Sequence, residues 1–124
     1  MTKFTYESFA AELCAVVPGF DRVYDEHVAD YDEVLPHVLL GDLGRFLSNE
    51  VAVHGPQSAV LKQAMDALEQ GMQSDDPRLE ELIAVSFLEN LDVDDPSFPA
   101  IRKLLGPRLE EQYNRYQDAA LKER

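Results

Sequence analysis

The chain has 124 residues and a formal net charge of −13, from 24 acidic and 11 basic side chains. A field of that sign repels nucleic acid and anionic membrane and steers basic partners inward. Its composition, 45% apolar and 28% charged, excludes a disordered chain and is expected to form one helical domain over residues 1–124. A chain of this size buries roughly 65% of its unfolded surface, so it needs no metal or disulfide to hold a core.

Helical spacing recurs along the sequence, without the two-residue alternation of strands. Phe9, Leu13 and Val16/Val17 make the first stripe, closed by Pro18-Gly19. Cys14, the only cysteine, lies within it and reads as a small buried hydrophobe. Glu7 and Glu12 interrupt the apolar N-terminal stretch and argue against a signal peptide. Tyr24, Val28, Tyr31 and Leu35 continue at steps of four, three and four. Pro36 then opens a third helix at its first turn, where a missing N–H costs nothing. Leu39/Leu40, Leu43 and Phe46/Leu47 form its stripe, and Gly41 and Gly44 are expected to let another helix pack closely.

A fourth helix starts at Gly55-Pro56, carries Val60/Leu61, Ala64/Met65 and Leu68, and stops at Gly71. Asp75 or Asp76 caps the fifth, with Pro77 just inside. Leu79, Leu82/Ile83, Ser86/Phe87 and Asn90/Leu91 are its expected buried side, with Glu89 and Asn90 as partly buried polar groups that tie the next loop to the helix end. Ser97 caps a short sixth helix with Phe98, Ile101 and Leu104/Leu105, broken at Gly106-Pro107. Leu109, Gln112/Tyr113, Tyr116 and Ala120 mark the last, and residues 121–124 are expected to fray. The short connections favour an all-α bundle of six or seven antiparallel helices. No run reaches the length of a membrane-spanning helix, so the protein is expected in the cytoplasm.

Motifs of catalysis and metal binding are weak. Glu33/His37 and Glu50/His54 share the four-residue spacing that places two side chains on one helical face. Helical di-iron sites use a spacing of three, Pro36 interrupts the first pair and Gly55-Pro56 comes directly after the second, so the histidines read as surface or cap residues and no metal is expected. A calcium loop beginning at Asp92 needs glycine sixth and glutamate twelfth, where the chain has Ser97 and Lys103. There is no nucleophile elbow and no glycine-rich phosphate loop, so neither an enzyme nor a cofactor is expected.

The charge distribution is more informative. Between residues 21 and 33, Asp21, Asp25, Glu26, Asp30, Asp32 and Glu33 face one strong base, Arg22. The candidate partner-binding set is Asp21, Tyr24, Asp25, Tyr31, Asp32 and Glu33, an acidic helix edge flanked by tyrosines that offer rigid contact area. The plainer account puts both tyrosines in the core and leaves the acids to solvate the outer face. A second cluster, Asp75, Asp76, Glu80 and Glu81, is a secondary candidate that helix capping also explains.

The blocks Tyr31-Asp-Glu-Val-Leu-Pro-His-Val-Leu-Leu-Gly-Asp-Leu and Val85-Ser-Phe-Leu-Glu-Asn-Leu, with Leu105-Gly-Pro downstream, resemble a small bacterial all-helical family of unknown function. Members of that family are suspected to be immunity proteins of polymorphic-toxin systems. The resemblance implies an all-α fold and a protein partner, and it transfers no catalytic residue. The resulting expectation is a non-catalytic acidic module that binds a basic protein, such as a cognate toxin, without direct contact to nucleic acid or membrane. The alternatives are a structural or self-associating adaptor, in which a homodimer is expected, and a DNA-mimic inhibitor.

Overall fold

The computed structural model describes residues 4–122, with side chains to residue 119. Seven α-helices occur in order, and no strand is present among the described residues: α1 Phe9–Val16, α2 Phe20–Tyr31, α3 Pro36–His54, α4 Ala59–Met72, α5 Pro77–Ile83, α6 Phe98–Lys103 and α7 Pro107–Lys122. The all-α expectation holds. The places of Ala120 and of residues 121–124 lie outside the residues whose side chains are described.

One core runs through the helices. Phe9 and Leu13 of α1, Phe20 of α2, four leucines of α3, Leu61, Met65 and Leu68 of α4, and Leu79 and Ile83 of α5 are all nearly inaccessible. Leu109 and Tyr113 bring α7 onto the same core. Pro36 occupies the first turn of α3, as its fixed φ predicts. Asp76 caps α5, accepting the Arg78 N–H at 3.1 Å, while its other oxygen takes the Tyr6 N–H at 2.9 Å.

Several boundaries differ from the sequence reading. Helix α4 begins at Ala59 instead of Gly55-Pro56, because Ser58 accepts the Leu61 N–H at 3.2 Å and caps it. Helix α4 runs one residue past Gly71 and ends at Met72. A Cβ on Gly71 would stand 2.7 Å from Ile83 Cδ1 and 3.1 Å from Phe9, so glycine is there to let α5 and α1 approach. Ser97 stands at the start of α6 and its carbonyl accepts the Ile101 N–H at 3.2 Å, but its side chain does not cap the helix; the Asp95 carboxylate instead takes the Ser97 N–H at 2.8 Å and its hydroxyl at 2.6 Å.

Helix α5 runs straight into a π-helical turn, Ala84–Leu88, closed by the Glu89 N–H to the Ala84 carbonyl at 3.0 Å. The extra residue in that turn rotates the side chains beyond it, a frequent accompaniment of functional clefts. Ser86, Phe87 and Leu88 are buried while Glu89 and Asn90 are exposed, against the expectation that both were partly enclosed. Asn90 does tie down the helix end, its side-chain amide donating to the Ser86 carbonyl at 3.0 Å.

Helix α7 starts on a contact the sequence hides. Glu69 of α4, 9% exposed, accepts the Arg108 N–H at 3.1 Å and the Leu109 N–H at 3.0 Å. Those donors have no partner within a helix's first turn, and a carboxylate there also suits the helix dipole. Gly106 makes the room: a Cβ on it would lie 2.5 Å from the Glu69 side chain.

Candidate functional site

Helix α2 has an apolar side set by Phe20, which is fully buried, and by Val23 and Tyr24, which pack partly buried against the core. The next residue on that side is His27, whose side chain is 0% exposed. The surface role expected of the histidines therefore fails here: the buried stripe runs Phe20, Val23/Tyr24, His27, not Tyr24, Val28, Tyr31. Burial is possible because the Leu35 N–H, at the start of α3, donates to His27 Nε2 at 2.8 Å. A nitrogen that accepts carries no proton, so the ring hydrogen sits on Nδ1. That atom is buried without a hydrogen-bond partner; Asp42 Oδ2 of α3 lies 3.5 Å away, beyond hydrogen-bond reach.

The two candidate tyrosines part company. Tyr24 belongs largely to the core, while Tyr31 is 47% exposed. The Tyr31 ring leans on His27, with centroids 5.0 Å apart and planes at 47°. Asp21, Asp25, Asp32 and Glu33 are exposed, as are Glu26 and Asp30. None of these six carboxylates joins an ion pair among the described residues. Asp32 also has a backbone duty: at φ 59° it closes α2 in the left-handed region, its N–H reaching the Val28 carbonyl at 2.8 Å.

The acids divide around the helix. Asp21 and Asp25 lie towards α1, where they add to the effect of burial in pushing the Cys14 thiol pKa up. Glu26 and Asp30 lie towards α3 and, with Tyr31, Asp42, Arg45 and Phe46, line a cleft of about 330 Å³ over His27. Phe46 meets Phe20 edge-on at 5.9 Å, fixing the two walls, and Arg45 pairs with Asp42 Oδ1. Sequence reasoning missed Glu26, Asp30, His27 and Asp42 as members of one site. The available signal was the seven-residue step from Phe20 to His27, masked by treating histidine as a surface residue.

The secondary cluster lies just before and within α5, and its first member, Asp75, is exposed at φ 64°. Asp76 is consumed by its cap and by Tyr6, Glu80 is half-buried, and Glu81 is exposed. Beside it Arg78 pairs with Glu7 and lies over the Tyr6 ring at 4.8 Å.

A larger cleft, about 490 Å³, opens between α3, the π-helical turn and α6. Gly41 and Gly44 form part of its wall: a Cβ on Gly44 would meet nothing within 4 Å, and one on Gly41 only the Arg45 side chain at 3.9 Å. The expected close packing of a helix on these glycines is therefore absent. Polar groups of this cleft satisfy one another: Ser86 with His37, Ser97 with Ser48 and Asp95, Asn90 with the Ser86 carbonyl, and Asp92 with the Asp94 N–H. The other histidine pair is loose, His54 Nε2 standing 4.0 Å from Glu50, which instead accepts the Ser58 hydroxyl at 3.0 Å. Among the described residues no three His, Cys, Asp or Glu side chains gather as a metal-binding set, and no helix is long and apolar enough to cross a membrane.

Fold and surface together define an all-α protein that carries, beside an open cleft, an acidic helix whose carboxylates have no ion-pair partners among the described residues. The chain belongs to the family described as "Domain of unknown function (DUF7674)", which matches residues 10–119. No curated protein and no solved structure matches it. Membership in an uncharacterised family agrees with the coarse part of the resemblance read from its motifs.

Proposed function

We propose that this protein is a non-catalytic, cytoplasmic immunity or inhibitor protein that neutralises a basic toxin domain by binding it through α2. The observation that carries the reading is the charge state of that helix and of the two residues that follow it. Six exposed carboxylates stand within residues 21–33, and none is ion-paired among the described residues. Elsewhere Glu7, Asp42, Glu110 and Glu111 have arginine partners, and exposed acids without one among the described residues, such as Glu81, Glu89 and Asp94, are more widely spaced along the chain. A basic partner relieves the repulsion among the α2 acids and gains speed of encounter from the field they create. Tyr31 adds a rigid aromatic contact, and a face of about 800 Å² is enough for a stable complex.

The deciding experiment expresses each neighbouring gene of the source genome alone and together with this one, scoring cell survival. A neighbour that kills alone and is silenced by this protein supports the reading. If no neighbour is toxic, the immunity role is withdrawn.

A further inference from the structure

We infer that the cleft between α2 and α3 seats one arginine side chain of a protein partner, stacked on Tyr31 and held by Glu26, Asp30 and Asp42. The inference rests on the protein-binding reading of α2 and names the chemistry that the surface selects. At about 330 Å³ the cleft is near the lower end of small-ligand cavities (about 300–1,000 Å³), so it takes a side chain and not a folded segment. Three carboxylates and one guanidinium line it, giving a formal charge of −2 from Glu26, Asp30, Asp42 and Arg45. Glu26 and Asp30 are four residues apart, hence on one helical face, and neither has an ion-pair partner among the described residues.

The buried imidazole supplies an independent reason to expect a guest. His27 Nδ1–H is sealed from solvent and has no acceptor, although Asp42 Oδ2 is 3.5 Å away. The Leu35 N–H fixes the tautomer at the other nitrogen, so the ring has no alternative arrangement to adopt. Asp42 is drawn along α3 by Arg45, whose side chain is 73% exposed. A cation held by Glu26 and Asp30 pulls the Asp42 carboxylate the other way, towards α2, and closes the gap to His27. Binding thus satisfies a donor that the free protein leaves unpaired, which favours the bound state.

Arginine fits better than lysine. Its planar guanidinium lies flat on a tyrosine face while five N–H donors point outward, towards carboxylates on both walls. The platform is ready-made: Tyr31 is half exposed, yet its ring is backed by an imidazole that cannot rotate. An anchor that needs no ordering on binding loses less entropy.

The test titrates the intact ¹⁵N-labelled protein with N-acetyl-arginine amide, N-acetyl-lysine amide and N-acetyl-glutamine amide at constant ionic strength, followed by NMR. The arginine derivative is expected to shift amides of residues 26–31 and 42–46 saturably and to move the His27 ring N–H resonance downfield. The lysine derivative binds more weakly, and the neutral one leaves the spectrum unchanged. Tyr31→Ala, at an exposed position, weakens arginine binding about 2–5-fold, the worth of an exposed cation–π contact. Shifts spread over all acidic segments, or equal responses to arginine and lysine, overturn the inference. In the survival assay, a toxin still silenced by the Tyr31→Ala/Glu26→Gln/Asp30→Asn variant removes the cleft and leaves the immunity reading standing. A localised arginine response without any toxic neighbour does the reverse.

Discussion

Glu69 and Gly106 form a pair whose coupling can be forecast in sign as well as size. Replacing Glu69 by alanine removes two charge-assisted bonds to the first turn of α7. Arg108 is exposed, so water replaces the carboxylate at its N–H; Leu109 is fully buried, and its N–H is left without a partner. With charged hydrogen bonds worth about 1.5–3 kcal/mol each and the first partly recovered, the expected loss is about 3 kcal/mol. Gly106→Ala attacks the same contact from the other side. Its Cβ would lie 2.5 Å from Glu69 Cγ, Cδ and Oε1, atoms pinned by the bonds to α7, so it too costs about 2–3 kcal/mol. In the Glu69→Ala background that obstacle is gone. Gly106 is not among the residues with positive φ, so alanine there should be neutral or stabilise by about 0.4–1 kcal/mol through the unfolded chain. Urea denaturation of the four proteins, read by circular dichroism with unchanged m-values, measures the cycle. Additive losses, to within about 0.5 kcal/mol, would refute the account of Gly106 as a passage for Glu69.

Three other outcomes rest on the charges. The raised Cys14 pKa, caused by burial first and then by Asp21 and Asp25, lowers its thiolate fraction; iodoacetamide at pH 8 should therefore alkylate it more slowly than free glutathione, and Asp21→Asn/Asp25→Asn should speed the reaction. The Ser97 hydroxyl, and next its N–H, hold the Asp95 carboxyl below its ordinary pKa. Its contribution to stability is therefore present above the unfolded value and lost as pH falls through the lower folded one, and Ser97→Ala should raise its NMR titration midpoint. Against a toxic neighbour, Asp25→Lys/Asp30→Lys should cut the association rate by about tenfold or more at low salt, with the difference shrinking as salt rises; a rate that does not change locates the interface elsewhere.

The helices were legible because their apolar spacing survives in the core: Leu39, Leu40, Leu43 and Leu47, or Leu61, Ala64, Met65 and Leu68, can be read as stripes and are buried as such. Pro36 and Asp76 were legible because each acts within its own helix end. The features that escaped are those whose meaning lies in a distant partner. Gly71 looks like a stop signal in one dimension but answers to Ile83, and Gly106, which does stand in the break between α6 and α7, answers to Glu69 as well. Gly41 and Gly44 suggest a helix contact, but they open onto the cleft bounded by the π-helical turn and α6, so no neighbouring helix packs on them. His27 was hidden by its chemistry: an imidazole reads as polar until the Leu35 N–H that satisfies one nitrogen is in view. Without it, the stripe of α2 slid onto Tyr31, the residue that is in fact exposed.

The same geometry separates acids that hold the fold from acids that do not. Glu69 and Asp76 accept backbone N–H groups from other segments, and Asp92 and Asp95 shape their own loop. On α2 the arrangement works against the helix. Its last turn contains Asp30 and no base, and Asp32 and Glu33 come next, where the negative end of the dipole disfavours carboxylates. Asp30→Asn should therefore stabilise the protein, by about 0.3–1 kcal/mol at low ionic strength, in urea denaturation. A stabilising result means that the acid stands there in spite of the fold, as expected of a residue kept for a partner. A loss of stability would show that Asp30 serves α2 itself, and would take away the main physical reason for treating this helix as a binding surface.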